Sequence, residues 1–173
     1  QHHVYANALE YCNKVINSGK FHLYSNYADI FDPSHKNEGY ENIFEIQHKI
    51  SMKSEDEGST INDFYLPIEL QGTMLTGWAM YGPTDYLYNS YELNDKRKSV
   101  TYITNGINAV GQSVSFKPHC FKYHNRNVGI PVNDGSQNFP LIRYADVLLM
   151  KAEAINALPS SSNSDEKFTC LNT

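Results

Sequence analysis

Trp78 is the sole tryptophan of the 173 residues, and Tyr65, Tyr81 and Tyr86 lie close to it in the chain. Asp63, Gln71 and Asp85 are interspersed among them. An aromatic ring offers a flat apolar face, and a neighbouring carboxylate or amide offers directed hydrogen bonding. A pyranose needs that combination, because its C–H faces stack on rings while its hydroxyls need donors and acceptors. Trp78, Tyr81, Tyr65, Asp63 and Tyr86 are therefore the candidate ligand-binding residues. The competing reading makes Trp78 a filler beneath a long loop. The polar stretch around Tyr40 and Glu41 is a second, lesser candidate.

Other chemistries find less support. Glu55, Asp56 and Glu57 are adjacent, a pattern typical of a solvated loop. Glu69 and Asp85 are carboxylates of the kind glycoside hydrolysis requires, but nothing in the sequence fixes their separation. No nucleophile elbow, phosphate loop or His-Glu-x-x-His motif occurs. No catalytic residue and no cofactor is expected. Cys12, Cys120 and Cys170 include no C-x-x-C pair, and an odd count argues against a complete disulfide framework. His119, Cys120 and His124 cluster without a ligand spacing that matches a zinc site, so no metal is expected. Arg143 and Asp146 are spaced to meet on one helix face, and we expect them to anchor that helix. Asp95 and Arg97 are expected to act likewise beside a turn.

These residues must be positioned by elements the pattern predicts. Residues 5–18 have helical periodicity through Tyr5, Leu9, Cys12 and Ile16, with Gly19 as a C-terminal stop. That face lacks an evident partner upstream, which predicts exposed apolar surface and self-association. Residues 42–48 alternate like a strand. Residues 61–81 are irregular and aromatic. Pro83-Thr84-Asp85 opens a short helix reaching Tyr91. Residues 100–103 read as a strand, Asn105-Gly106 as a hairpin turn, and 113–116 and 120–123 as partner strands. Asn133-Asp134-Gly135 reads as another turn. Residues 141–158 give the clearest helix, with Ala145, Leu148, Leu149, Ala152 and Ile155 on one face. A further helix begins near Lys167.

Composition narrows the function. The formal net charge is −5 and there are only three Arg, a poor basis for gripping phosphates, so no nucleic-acid partner is expected. No apolar stretch is long enough to span a bilayer as a helix, and from its opening residues no signal peptide is expected. Aromatics make up 13% of the residues, mostly as 13 Tyr.

Residues 138–154 read Asn-Phe-Pro-Leu-Ile-Arg-Tyr-Ala-Asp-Val-Leu-Leu-Met-Lys-Ala-Glu-Ala. This run resembles a signature of the SusD/RagB family, surface lipoproteins of Gram-negative outer membranes that capture glycans and other nutrients. Val15-Ile16-Asn17-Ser18-Gly19-Lys20-Phe21 resembles the family's helix followed by Ser-Gly-Lys-Tyr, with Phe21 where Tyr is usual. Residues 27–31 and 41–47, the Pro83-Thr84, Leu87, Tyr91, Asp95-x-Arg97 passage and Lys122-Tyr123 follow in the family's order.

The resemblance implies a mainly α fold with irregular loops and small antiparallel β-hairpins. Residues 1–173 would be a partial SusD/RagB-like C-terminal domain segment, with the TPR-like helical-repeat half largely missing. It implies non-catalytic capture of a glycan ligand at the extracellular face of the outer membrane. The glycan would pass to a SusC-type TonB-dependent transporter, for which the protein acts as a lid. Membrane attachment would run only through a lipid anchor absent from this chain, since Cys12 lies mid-helix. Leu171-Asn172-Thr173 would begin the family's next motif. Two alternatives stay open: a structural or interaction module that contacts the transporter, and capture of peptide in place of glycan.

Overall fold

The computed structural model describes residues 2–50, 58–70, 77–108, 110–123, 135–159 and 164–172. Glu55, Asp56, Glu57, Gln71, His124 and the Asn133-Asp134 turn lie outside the described residues. Among the described residues the architecture is mainly helical, with two small two-stranded sheets. The chain divides into two compact units, one of Gln1–Ser25, Glu38–Glu45 and Pro140–Thr173, the other of Asn26–Asn37 and Ile46–Phe139. Among the described residues no helix is long and apolar enough to cross a membrane.

The first unit is built on helices. Helix α1 (His2–Asn17) ends before Gly19, whose φ of +63° is the left-handed conformation suited to a helix stop. Strand β1 (Asn42–Ile46) pairs with a later strand, Phe139–Arg143, which leads directly into the helix Tyr144–Ala157. A last helix, Ser164–Leu171, packs on the Tyr144–Ala157 helix from within the same unit. Helix α1 also packs along Tyr144–Ala157, burying Cys12 and half-burying Tyr5, Leu9 and Ile16. The unpartnered face expected there is thus largely covered by the chain itself. Val147, Leu148, Ala152, Ala154 and Ile155 form the helix's buried side.

The expected helix over 141–158 begins later, at Tyr144. Asp146 accepts the backbone N–H of Arg143 at 2.8 Å, which caps the helix there, while residues 139–143 are extended in the sheet. Arg143 and Asp146 therefore do not pair side chain to side chain. The Arg143 guanidinium reaches Glu41 at 3.2 Å instead.

The second unit contains α2 (Ile61–Tyr65), α3 (Asp85–Asn89), α4 (Lys96–Thr101) and the antiparallel pair β2 (Tyr102–Ile107) and β3 (Ser113–Cys120). Thr84 caps α3 by accepting the Leu87 N–H, in the place the Pro-Thr-Asp signal indicated. Asp95 caps α4 and also binds Arg97, so Val100 and Thr101 complete a helix where a strand was expected.

Asn105 and Gly106 are not the hairpin turn. They lie inside β2, opposite Ser115 and Val114, and the chain reverses beyond Ile107, where the Asn108 N–H donates to the Gln112 carbonyl and Gly111 takes a φ of +78°. Gly106 is needed for close approach. A Cβ there would meet Leu70 Cδ2 at 2.8 Å. The two short strands expected over 113–116 and 120–123 are one strand, Ser113–Cys120. It stops where β2 begins, because Tyr102 pairs with Cys120 and α4 precedes it.

Candidate functional site

The aromatic stretch that the sequence left irregular is fixed by backbone bonds. The chain at 78–81 lies against α2 and the residues after it. Trp78 N–H donates to the Asp63 carbonyl at 2.6 Å, Met80 N–H to Phe64 at 2.9 Å and Ala79 N–H to Leu66 at 3.0 Å. Leu66 and Pro67 are fully buried beneath this contact. Gly77 makes the approach possible, since a Cβ there would stand 2.4 Å from the Leu66 carbonyl oxygen and 2.6 Å from that of Pro67. Ala79 takes a φ of +51°, a left-handed conformation uncommon for a residue with a side chain.

The rings then form a connected set. Trp78 meets Phe64 edge to face, with centroids 5.2 Å apart at 80°. Tyr81 leans on Phe64 at 6.1 Å and on Tyr65 at 5.8 Å. Tyr65 continues to Tyr123 at 6.1 Å, and Tyr123 to Phe31 and Phe139. One end of this set faces solvent: Trp78 is 42% exposed and Tyr81 55%. The other end is half-buried, and burial, followed by the Cys120 and Tyr81 groups, pushes the Tyr65 hydroxyl pKa upward. Tyr65 is therefore a neutral phenol at neutral pH, able to donate or accept a hydrogen bond.

The structure thus brings four of the five expected residues together and leaves one apart. Trp78, Tyr81 and Tyr65 share the ring set, and Asp63 supplies the carbonyl that holds the indole's backbone. Asp63 is only 2% exposed, so it sits beneath the platform. Tyr86, on α3, is 85% exposed and makes no ring contact with Trp78, Tyr65 or Tyr81 among the described residues. Phe64, which supports both exposed rings, was not foreseen. Its place in the Asp-Phe-Tyr run ahead of the tryptophan is the signal that would have found it.

The lesser candidate at Tyr40 and Glu41 is structural in character. Glu41 is buried, accepts the Tyr24 N–H at 3.0 Å and pairs with Arg143, while its carbonyl accepts the Tyr144 N–H at 2.8 Å. Tyr40 stacks with His22 at 4.6 Å. Among the described residues no group of three or more His, Cys, Asp or Glu is placed to hold a metal ion.

Three comparisons with known proteins bear on this arrangement. Residues 103–172 match the model of the SusD family. SusD-like protein P2 of Formosa agariphila is 29% identical over 102 residues, covering 50% of this chain and 20% of that protein. In fold, the chain is similar to surface glycan-binding protein A from Bacteroides thetaiotaomicron in complex with laminarihexaose. That match has a TM-score of 0.79 at 20% identity, covering 99% of this chain and 43% of that one. Surface glycan-binding protein A from Bacteroides uniformis matches with a TM-score of 0.76 at 21% identity, covering 99% and 37%. The chain spans less than half the length of each of these proteins. The match to the SusD family thus spans residues 103–172, and the fold of the whole chain is similar to that of these solved proteins.

Proposed function

We propose that the protein carrying this chain binds glycan at the cell surface without transforming it, and that Trp78 and Tyr81 form its stacking platform. The observation that carries the reading is the exposed indole and phenol held in place by backbone bonds on a buried support. A ring fixed before binding loses little freedom when a sugar stacks on it, so more of the contact energy appears as affinity. Tyr65 supplies a neutral hydroxyl behind the platform, and Asp63 acts as its support. The glycan named for the Bacteroides thetaiotaomicron relative, laminarihexaose, makes β-glucans the first ligands to try. Delivery to a SusC-type transporter and attachment to the outer membrane through a lipid anchor follow from the family resemblance and belong to the same proposal.

The test is native affinity electrophoresis of the protein in gels with and without laminarin. The reading expects retardation of the wild type and loss of it in Trp78→Ala, at an affinity cost of at least about tenfold. Circular dichroism and thermal melting confirm that the variant is folded. A folded Trp78→Ala that is retarded like the wild type overturns the platform. Exposed Ile68 and Met80 lie near Trp78 in the chain and favour the second reading, an apolar face for a protein partner. On that reading Trp78→Ala weakens transporter capture and leaves glycan retardation unchanged.

A further inference from the structure

A second cleft lies within the same unit, and its chemistry differs from that of the Trp78 platform. It has a volume of about 540 Å³ and is formed by the 93–95 turn, α4 and the first half of β2. None of its lining residues belongs to the platform. Volumes of this size are typical of small-molecule sites.

Its walls combine three kinds of group. Tyr88 and Tyr102 meet edge to face at 5.6 Å and give it an aromatic side. Asn94 and Asn105 offer amides that donate and accept. Lys96 and Lys98 bring two ammonium groups, and Lys98 Nζ stands 4.1 Å over the Tyr88 ring. The lining also holds one carboxylate, Asp95. That carboxylate is committed to Arg97, which donates to it from Nε at 2.9 Å and from Nη2 at 2.6 Å. Among the described residues neither Lys96 nor Lys98 has a carboxylate partner. On a chain of net charge −5 the cleft is therefore a local cationic spot with an aromatic wall. Leu93, on the rim, is 99% exposed and adds an apolar edge.

We infer that this cleft is a separate subsite for an acidic saccharide unit, its ring set against Tyr88 and Tyr102 and its anionic group held by Lys96 and Lys98. A uronate carboxylate and a sulfate ester share the chemistry that the lysines would recognise. A neutral sugar gains nothing from the two ammonium groups, whereas an anionic one gains charge-assisted bonds that weaken as salt rises.

The experiment measures calorimetric binding of three probes: an oligogalacturonate, a sulfated galactan oligosaccharide and neutral laminarihexaose. The proteins are the wild type, Lys96→Gln/Lys98→Gln, Lys96→Gln alone and Trp78→Ala. Expected is binding of at least one acidic probe that weakens with salt and falls about tenfold or more in the double variant, while laminarihexaose is bound as before. Which acidic probe binds separates carboxylate from sulfate. Lys96→Gln alone alters an exposed side chain, and a weaker acidic probe there rules out misfolding as the cause. The inference is overturned if neither acidic probe binds, if the double variant binds it like the wild type, or if Trp78→Ala abolishes acidic binding. A wild type that fails to bind laminarihexaose while the lysine dependence of acidic binding is intact would sink the platform reading and leave this one standing.

Discussion

The amide of Trp78 donates to the carbonyl of Asp63 across 2.6 Å, and Asp63 is itself buried. The ring that faces solvent is thus positioned from beneath by main chain, and no side chain on the surface has to hold it. Phe64, the next residue, carries the indole edge to face and takes the Met80 amide on its carbonyl. One short helix therefore fixes both the backbone and the ring of the platform, an arrangement suited to binding with little reorganisation.

The fit at Gly77 makes a sharp prediction. Gly77→Ala places a Cβ 2.4 Å from the Leu66 carbonyl oxygen, and backbone on both sides must shift. We expect a loss of about 1–3 kcal/mol in urea unfolding together with weakened glycan retardation. Gly106→Ala meets side-chain atoms of Leu70, where Gly77→Ala meets backbone, so its cost is expected to be smaller. Equal stability of Gly77→Ala and the wild type would remove the close approach from the account.

Glu41 and Arg143 make the second prediction. Arg143→Leu strips the guanidinium from a carboxylate whose side chain is 3% exposed. Breaking a buried pair on one side costs on the order of 3 kcal/mol, because the remaining charge stays desolvated. Glu41→Gln removes that charge and keeps an oxygen for the Tyr24 amide, so it is expected to cost less. Urea midpoints in the reverse order would contradict the buried-pair reading.

Alkaline pH supplies the third. Burial first, then donation of its hydroxyl to Glu38 and the Glu38 and Glu41 charges, push the Tyr24 pKa up to about 12. Burial, then the Tyr91 group, do the same to Tyr102. A phenol whose folded pKa exceeds its usual value of 10.0 contributes stability that is complete below pH 10. That contribution is lost as pH rises toward 12. Absorbance at 295 nm is expected to show Tyr24 and Tyr102, and with them Tyr65, titrating late in the folded protein and normally in urea. Tyr24→Phe is expected to move the alkaline unfolding midpoint upward. A single step near pH 10 for the folded protein would contradict both shifts.

How much of this was legible before folding depends on whether the signal was local. The Thr84 and Asp95 caps act within three residues, and the helices that follow them were anticipated or flanked by the right residues. Gly106 was misread because Asn-Gly is a turn signal only when nothing else needs the space, and here Leu70 does. Glu41 looked like a polar loop residue, since its partners Tyr24 and Arg143 are 17 and 102 residues away. The aromatic platform was readable as composition. Its geometry was not, because it is set by backbone bonds between 63–66 and 78–81.

Tyr81 and Tyr86 separate the platform from mere aromatic content. Both are exposed tyrosines close to Trp78 in sequence, and composition ranks them together. Tyr81 leans on Phe64 and Tyr65, so its ring is held beside the indole. Tyr86 extends from α3 without a ring neighbour in that set and must lose its rotamer freedom to stack on anything. Tyr81→Ala is therefore expected to weaken glycan binding by about tenfold, and Tyr86→Ala by less than about twofold with stability within about 0.5 kcal/mol of wild type. Calorimetric titration of both variants with laminarihexaose measures the difference. A loss at Tyr86 equal to that at Tyr81 would mean that the ligand reaches across α3, and the platform would have to be redrawn to include that helix.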